Sequence, residues 1–195
     1  SKKKVLFYPT SYKRPYEPEK PDNTYILSRT EVSQRISTGD RKTIIVTYPE
    51  ALSEKVITRK VMTNNSFKMS IGNSISMDEL TDILVNFNFE HVDYVVEPGQ
   101  FTIRGGIVDV FSFANDFPYR IEFFGDEVDS IRSFNPIDQL SIEKVRNIVL
   151  IPNLQNQNNN FEKESLIQYI KNQTIIWLDE EEYLKDKVDE EFNKA

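Results

Sequence analysis

From Val92 to Phe134 apolar and polar residues alternate with a period of two, in short runs broken by turn residues. Val92–Val96, Phe101–Arg104, Ile107–Phe113, Tyr119–Phe124 and Glu127–Phe134 read as strands. Glu97-Pro98-Gly99-Gln100 puts Pro and Gly where a type II turn favours them, and Gly105-Gly106 and Gly125-Asp126 separate the later runs. The block predicts an antiparallel meander. Upstream, Ser76-Met77-Asp78-Glu79 has the spacing of a capping box, and Leu80, Ile83, Leu84 and Phe87 follow at helical spacing. One helix therefore packs on the meander. Between the two patterns and the chain start, Val61–Ile71 reads as a pair of strands.

The flanks follow a different rhythm. Lys4–Tyr8 predicts a strand, followed by a charged loop through Pro9, Pro15, Pro18 and Pro21. Asp22 or Asn23 is placed to cap a helix over Thr24–Ile36, with Thr38-Gly39 stopping it. Thr43–Val46 is a continuous apolar run, the pattern of a buried parallel strand, and Pro49 opens a short helix at its permitted first position. Asn153 to Asn160 is rich in Asn and Gln and reads as a linker. Beyond it, Phe161–Lys171 predicts a helix, Thr174–Leu178 a strand, and Asp179 with Glu182 a cap for a last helix carrying Leu184, Val188 and Phe192 on one stripe. Too few flanking strands are visible to complete a sheet. Together with Ser1 in place of Met, this leads to the expectation that the chain is a piece of a longer one.

Composition narrows the function classes. Hydrophobic residues make up 38% of the chain, and 13 Phe, 9 Tyr and one Trp supply bulk for a core or anchors for an interface. No run is long enough to span a bilayer and no signal peptide opens the chain, so a cytoplasmic location and no membrane partner are expected; the absence of Cys agrees. The net charge of −7 is uneven: residues 1–60 hold 13 Lys/Arg against 7 Asp/Glu, residues 61–160 hold 6 against 14, and residues 161–195 hold 5 against 10. An acidic remainder opposes a polyanion, so tight DNA binding by the chain alone is disfavoured.

Catalytic signatures are sparse. None of the six Gly residues is followed by Lys, so the phosphate loop of nucleotide hydrolases is missing, as is the G-x-G-x-x-G fingerprint. With no Cys and one His, a Cys/His zinc site cannot be assembled. His91 has no Ser or Cys partner at a telling spacing and reads as a structural or surface residue. Asp109, Glu122, Asp126, Glu127 and Asp129 could hold Mg²⁺ or act as an acid/base pair; the plainer reading is a solvated sheet face, with Asp109 paired to an Arg. No catalytic, cofactor or metal residue is assigned.

Alternation singles out one face. If Tyr119, Ile121 and Phe123 point to the core, then Arg120, Glu122 and Phe124 point away; likewise Phe101 and Ile103 point in and Arg104 out. Two Arg and a Phe on a polar face have the composition of an interface hot spot. The alternative is a Phe124 that tucks under the Gly125 turn. The pattern alone leaves both open.

The stretch Val92-Asp93-Tyr94-Val95-Val96-Glu97-Pro98-Gly99-Gln100-Phe101-Thr102-Ile103-Arg104-Gly105-Gly106-Ile107-Val108-Asp109-Val110-Phe111, continued by Pro118-Tyr119-Arg120-Ile121-Glu122-Phe123-Phe124-Gly125-Asp126-Glu127, resembles the excinuclease-B-like module of bacterial transcription-repair coupling factors. The likeness is strongest over His91–Phe134. It implies an α+β and α/β mixture: an antiparallel sheet insert domain with a packed helix over 61–152, a partial, degenerate helicase-like α/β segment over 1–60, a linker over 153–160, and a second α/β piece over 161–195. It also implies a non-catalytic docking surface for the excinuclease A subunit, carried by Arg104, Arg120 and Phe124. RNA polymerase, double-stranded DNA and ATP would be handled by other domains of the longer protein, a DNA translocase, in transcription-coupled nucleotide excision repair. The excinuclease B family shares the motif and stands as the alternative, with a role in binding damaged DNA. Against it, Thr47–Ile71 lacks a long aromatic, Gly-containing hairpin for gripping DNA, and Thr47-Tyr48-Pro49-Glu50-Ala51-Leu52 looks more like the coupling factors.

Overall fold

The structure, a computed structural model, describes residues 4–11, 23–39, 43–154, 161–170 and 174–194. The loop through Pro15, Pro18 and Pro21, the cap at Asp22, most of the Asn/Gln stretch, Lys171 and the side chain of Phe192 lie outside the described residues. The chain divides into two compact units, residues 1–63 with 158–195, and residues 64–157.

In the first unit, β1 (Lys4–Phe7) pairs in parallel with β2 (Thr43–Val46), joined through α1 (Asn23–Thr38). Gly39, at φ 79°, closes that helix by donating its N–H to the carbonyls of Arg35 and Ile36. The strand β2 is not buried as its apolar run suggested: Ile44 and Val46 are exposed, because with β1 it forms a two-stranded sheet with one open face. Next come α2 (Pro49–Ser53), β3 (Lys55–Ile57) and α3 (Arg59–Asn64). Residues 61–64 are thus helical and not the first of two strands; a four-residue apolar window fits either period.

The second unit runs β4 (Phe67–Ser70), α4 (Met77–Asn86), β5 (Glu90–His91), β6 (Gln100–Arg104), β7 (Ile107–Val110), β8 (Tyr119–Phe124), β9 (Glu127–Phe134), β10 (Ser141–Lys144) and β11 (Asn147–Leu150). The chain then returns to the first unit with β12 (Lys163–Ser165), α5 (Leu166–Tyr169) and α6 (Glu181–Lys194), where β12 pairs antiparallel with β3. A helix over Phe161–Lys171 is therefore replaced by a strand and one capped turn, Ser165 and Gln168 forming the box. Thr174–Leu178 is no strand, and its Ile175 and Trp177 are exposed; no strand among the described residues pairs with it. No helix among the described residues is long and apolar enough to cross a membrane.

The second unit positions the candidate residues. Its six-stranded sheet has the order β10-β9-β8-β7-β6-β5 and is antiparallel except for the β5–β6 pair. Val92–Val96 is not a strand: the pairing there is made by Glu90–His91 just before it, and the strand predicted over Ile107–Phe113 ends at Val110. Gly99, at φ 89°, makes the turn before β6, and its N–H donates to the Phe111 carbonyl at 2.7 Å. The box at Ser76 and Glu79 caps α4 as the sequence requires, and Leu80 and Leu84 carry that helix into the core. Phe101, Val108, Val110, Ile121, Val128 and Ile131 face them from the sheet, with Met69, Ile148 and Leu150 from the separate β4–β11 pair. Burying such side chains stabilises by about 1.5–3 kcal/mol each, so this face of the sheet anchors the unit.

Candidate functional site

The register of the sheet fixes which side chains share the face turned away from that core. Thr102, Asp109, Arg120 and Arg132 lie directly opposite one another across β6, β7, β8 and β9, and Arg104, Ile107, Glu122 and Ser130 form the adjoining row. Phe124 stands at the end of β8, two residues beyond Glu122. A bulge at Asp129 shifts the β8–β9 register there: Glu122 pairs with Ser130 but Phe123 with Val128. The extra residue lets Val128 stay in the core while β9 runs on into the Gly125 turn.

Charge on this face is organised around one buried carboxylate. Asp109 accepts from Arg120 through two parallel bonds, Nε to Oδ1 at 2.8 Å and Nη2 to Oδ2 at 2.9 Å, while Arg104 Nη2 reaches Oδ2 at 2.5 Å. The Asp109 side chain is fully buried, Arg120 is 17% exposed and Arg104 42%. Arg120 lies over the Phe134 ring at 4.6 Å, and its Nη1 donates to the Gln139 carbonyl at 3.4 Å. Its hydrogen bonds to Asp109, then the attraction of that carboxylate, raise its already high pKa against the cost of burial, so it stays cationic throughout. Arg104 sits over the Tyr94 ring at 5.6 Å. In the next row Arg132 pairs with Glu122, which also accepts from Ser130 Oγ at 2.6 Å.

The three residues singled out by alternation thus meet different fates. Phe124 does not tuck under the Gly125 turn; it is 83% exposed. Arg104 is half-free, with one nitrogen on Asp109. Arg120 is largely spent on Asp109 and Phe134. Sequence reasoning brought Asp109 to an Arg but missed that one carboxylate serves two. It also missed Phe134, Tyr94 and the Gln139 cover. Phe134 was within reach, since it shares the parity of Arg132 on β9; Gln139, held at φ 62°, had no local signal.

The acidic residues do not gather into a metal site: Asp109 and Glu122 both hold arginines, and no group of three or more His, Cys, Asp or Glu among the described residues could hold a metal ion. His91 packs on the Phe101 ring at 5.1 Å. What the face offers chemically is guanidinium donors, held in fixed geometry, and an uncovered aromatic ring. Such donors suit a carboxylate, and such a ring suits an apolar recess.

Residues 67–155, nearly the whole second unit, match the family model of the UvrB interaction domain. The surrounding chain extends the likeness. It is 32% identical to the transcription-repair-coupling factor of Myxococcus xanthus over 149 residues, 76% of this chain and 12% of that protein. Against the transcription-repair-coupling factor of Bacillus subtilis it is 38% identical over 124 residues, 64% of this chain and 10% of the relative. The UvrABC system protein B of Streptococcus uberis is 30% identical over 158 residues, covering 74% of this chain and 24% of that protein. The chain therefore resembles coupling factors and UvrB proteins through a shared interaction domain, as its motifs imply, and spans between about a tenth and a quarter of these relatives' length.

Proposed function

We propose that this chain is a non-catalytic docking module that recruits the excinuclease A subunit in transcription-coupled nucleotide excision repair, as part of a coupling factor. The observation that carries the reading is Phe124, a large aromatic held 83% exposed on the strand that also carries Arg120. An exposed aromatic set beside arginine on a polar sheet face has the composition of an interface anchor. The family model of the UvrB interaction domain over 67–155 supports the assignment, and so does the likeness of the chain to both coupling factors and UvrB proteins.

In this mechanism no bond is made or broken by the chain. Phe124 enters an apolar recess of the partner. Arg104 turns its free nitrogens to an acidic group beside that recess, and Arg120 fixes Asp109 so that Arg104 is presented in one orientation. The flanking unit is read as part of a degenerate helicase-like layer. Polymerase, DNA and ATP are engaged by other domains of a cytoplasmic protein.

Calorimetric titration of the chain with purified excinuclease A subunit tests the proposal. Saturable binding is expected, weakened by Arg104→Ala and Phe124→Ala and, with some loss of stability, by Arg120→Ala. Undiminished binding by all three folded variants would overturn the assigned surface.

A further inference from the structure

The three residues of the docking reading are too small a footprint. A stable protein interface covers roughly 800 Å² on each side, whereas one aromatic ring contributes about 150–250 Å² when fully covered. Arg104 is only partly exposed and Arg120 mostly enclosed, so Phe124 and the two arginines leave the larger share of such an interface to other residues.

The sheet face continues into a surface that could supply it. Between β9 and β10, residues 135–140 form a closed loop: the Gln139 N–H donates to the Asn135 carbonyl at 2.8 Å and the Asn135 N–H to the Leu140 carbonyl at 2.9 Å. Two further bonds brace it from inside, Ile137 N–H to Asn135 Oδ1 and Leu140 N–H to Asp138 Oδ1, both at 2.9 Å. Within this braced loop Ile137 is 92% exposed and Leu140 67%. The backbone of the loop is thus fixed by its own polar groups while these two apolar side chains stand in solvent.

Gln139, between the two, ties the loop to the docking residues. Its carbonyl meets Arg120 Nη1, and its Nε2 donates to the Val95 carbonyl at 3.3 Å. The neighbour of Val95 is Tyr94, also exposed, over whose ring Arg104 lies. A chain of direct contacts thus joins Arg104, Tyr94, the Gln139 loop and Arg120.

We infer that Ile137 and Leu140, with Tyr94, form an apolar rim of the same docking surface, and that the partner presents an aliphatic patch there beside the acidic group that meets Arg104. The inference rests on the docking reading above. The occupant is the same partner protein, because the rim is joined to the arginine pair by the direct contacts of Gln139 and Tyr94, and anchors of an interface are ringed by contacts that exclude water. A preformed loop also spares the partner the cost of ordering it.

The test compares four versions of the full chain against purified excinuclease A subunit by calorimetry: the parent, Ile137→Asp with Leu140→Asp, Phe124→Ala, and Val85→Asp on α4 as a control for added charge. Both rim positions are exposed, so the double variant is expected to keep the parent's melting temperature and to bind at least 10-fold more weakly, while Val85→Asp binds like the parent. If Phe124→Ala weakens binding but the rim variant binds like the parent, the rim inference is overturned and the docking reading stands. If neither weakens binding, or the parent does not bind, both fall. A loss in Val85→Asp as large as that of the rim variant overturns the inference as a charge effect. So does sedimentation showing a parent dimer that the rim variant dissociates without change in partner binding.

Discussion

Replacing Asp109 by Asn keeps the volume of the side chain and removes the charge that two arginines share. In the native sheet the carboxylate accepts three N–H bonds and is fully buried, so its loss leaves Arg120, 17% exposed, facing a neutral amide. Removing one partner of a buried ion pair typically costs about 3–5 kcal/mol. Here the cost falls short of that range, because Arg104 can swing to water and Arg120 retains Phe134 and Gln139; about 2–3 kcal/mol is expected. For a domain of this size that corresponds to a fall in melting temperature of roughly 10 °C or more. Urea unfolding followed by far-UV circular dichroism measures the loss. Amide exchange in β7 and β8 locates it. Adding Arg120→Met to Asp109→Asn should then cost less than Arg120→Met in the parent, since the cation to be desolvated has already lost its partner. A change under about 0.5 kcal/mol in Asp109→Asn would refute the reasoning, as it would mean that the pair is solvated like an ordinary surface one.

Other positions make separate demands. Ser76→Ala removes the side-chain oxygen that accepts the Glu79 N–H and should cost about 1 kcal/mol in the same denaturation, with fraying confined to the start of α4. Gly99→Ala combines φ 89° with a new Cβ only 2.9 Å from the Phe113 ring, so a loss of about 1–2 kcal/mol or more is expected, and an unchanged midpoint would contradict it. Tyr119 is pushed up to about 12, first by burial and then by Glu143 and Asp116. A raised folded-state value means that its contribution is whole below the unfolded value near 10 and is lost as pH rises from there through 12. In a spectrophotometric titration, Tyr119→Phe should therefore leave the tyrosinate signal of the folded chain at pH 11 nearly unchanged, yet lower it by one residue in urea.

The main sheet of the second unit was legible in the sequence because its strands follow one another in space in chain order, β5 to β10. Alternation, the Gly turns and the capping box each act within a few residues, and together they placed β6, β8, β9 and α4 closely. The same parity put Arg104, Arg120 and Phe124 on one face. What the pattern could not carry was anything decided at a distance. Gln139 covers Arg120 across a loop, and that cover is part of why Arg120 is more enclosed than Arg104. Strand β12 exists because β3 lies beside it, far away in sequence. Thr174–Leu178 shows the converse: a strand-like composition stays outside a sheet when no edge takes it, since β propensity expresses packing on neighbours more than a preference of the backbone.

The central claim is that an exposed ring and a half-free arginine on one sheet face hold a partner protein. Its most direct test is the dissociation constant of the chain for purified excinuclease A subunit, for the parent and for Phe124→Ala, with the melting temperature of each recorded. With 83% of Phe124 exposed, the substitution should leave folding stability within about 0.5 kcal/mol. The account predicts binding at least 10-fold weaker at that unchanged stability, as expected for an interface anchor. Equal affinity of the two folded proteins would contradict it.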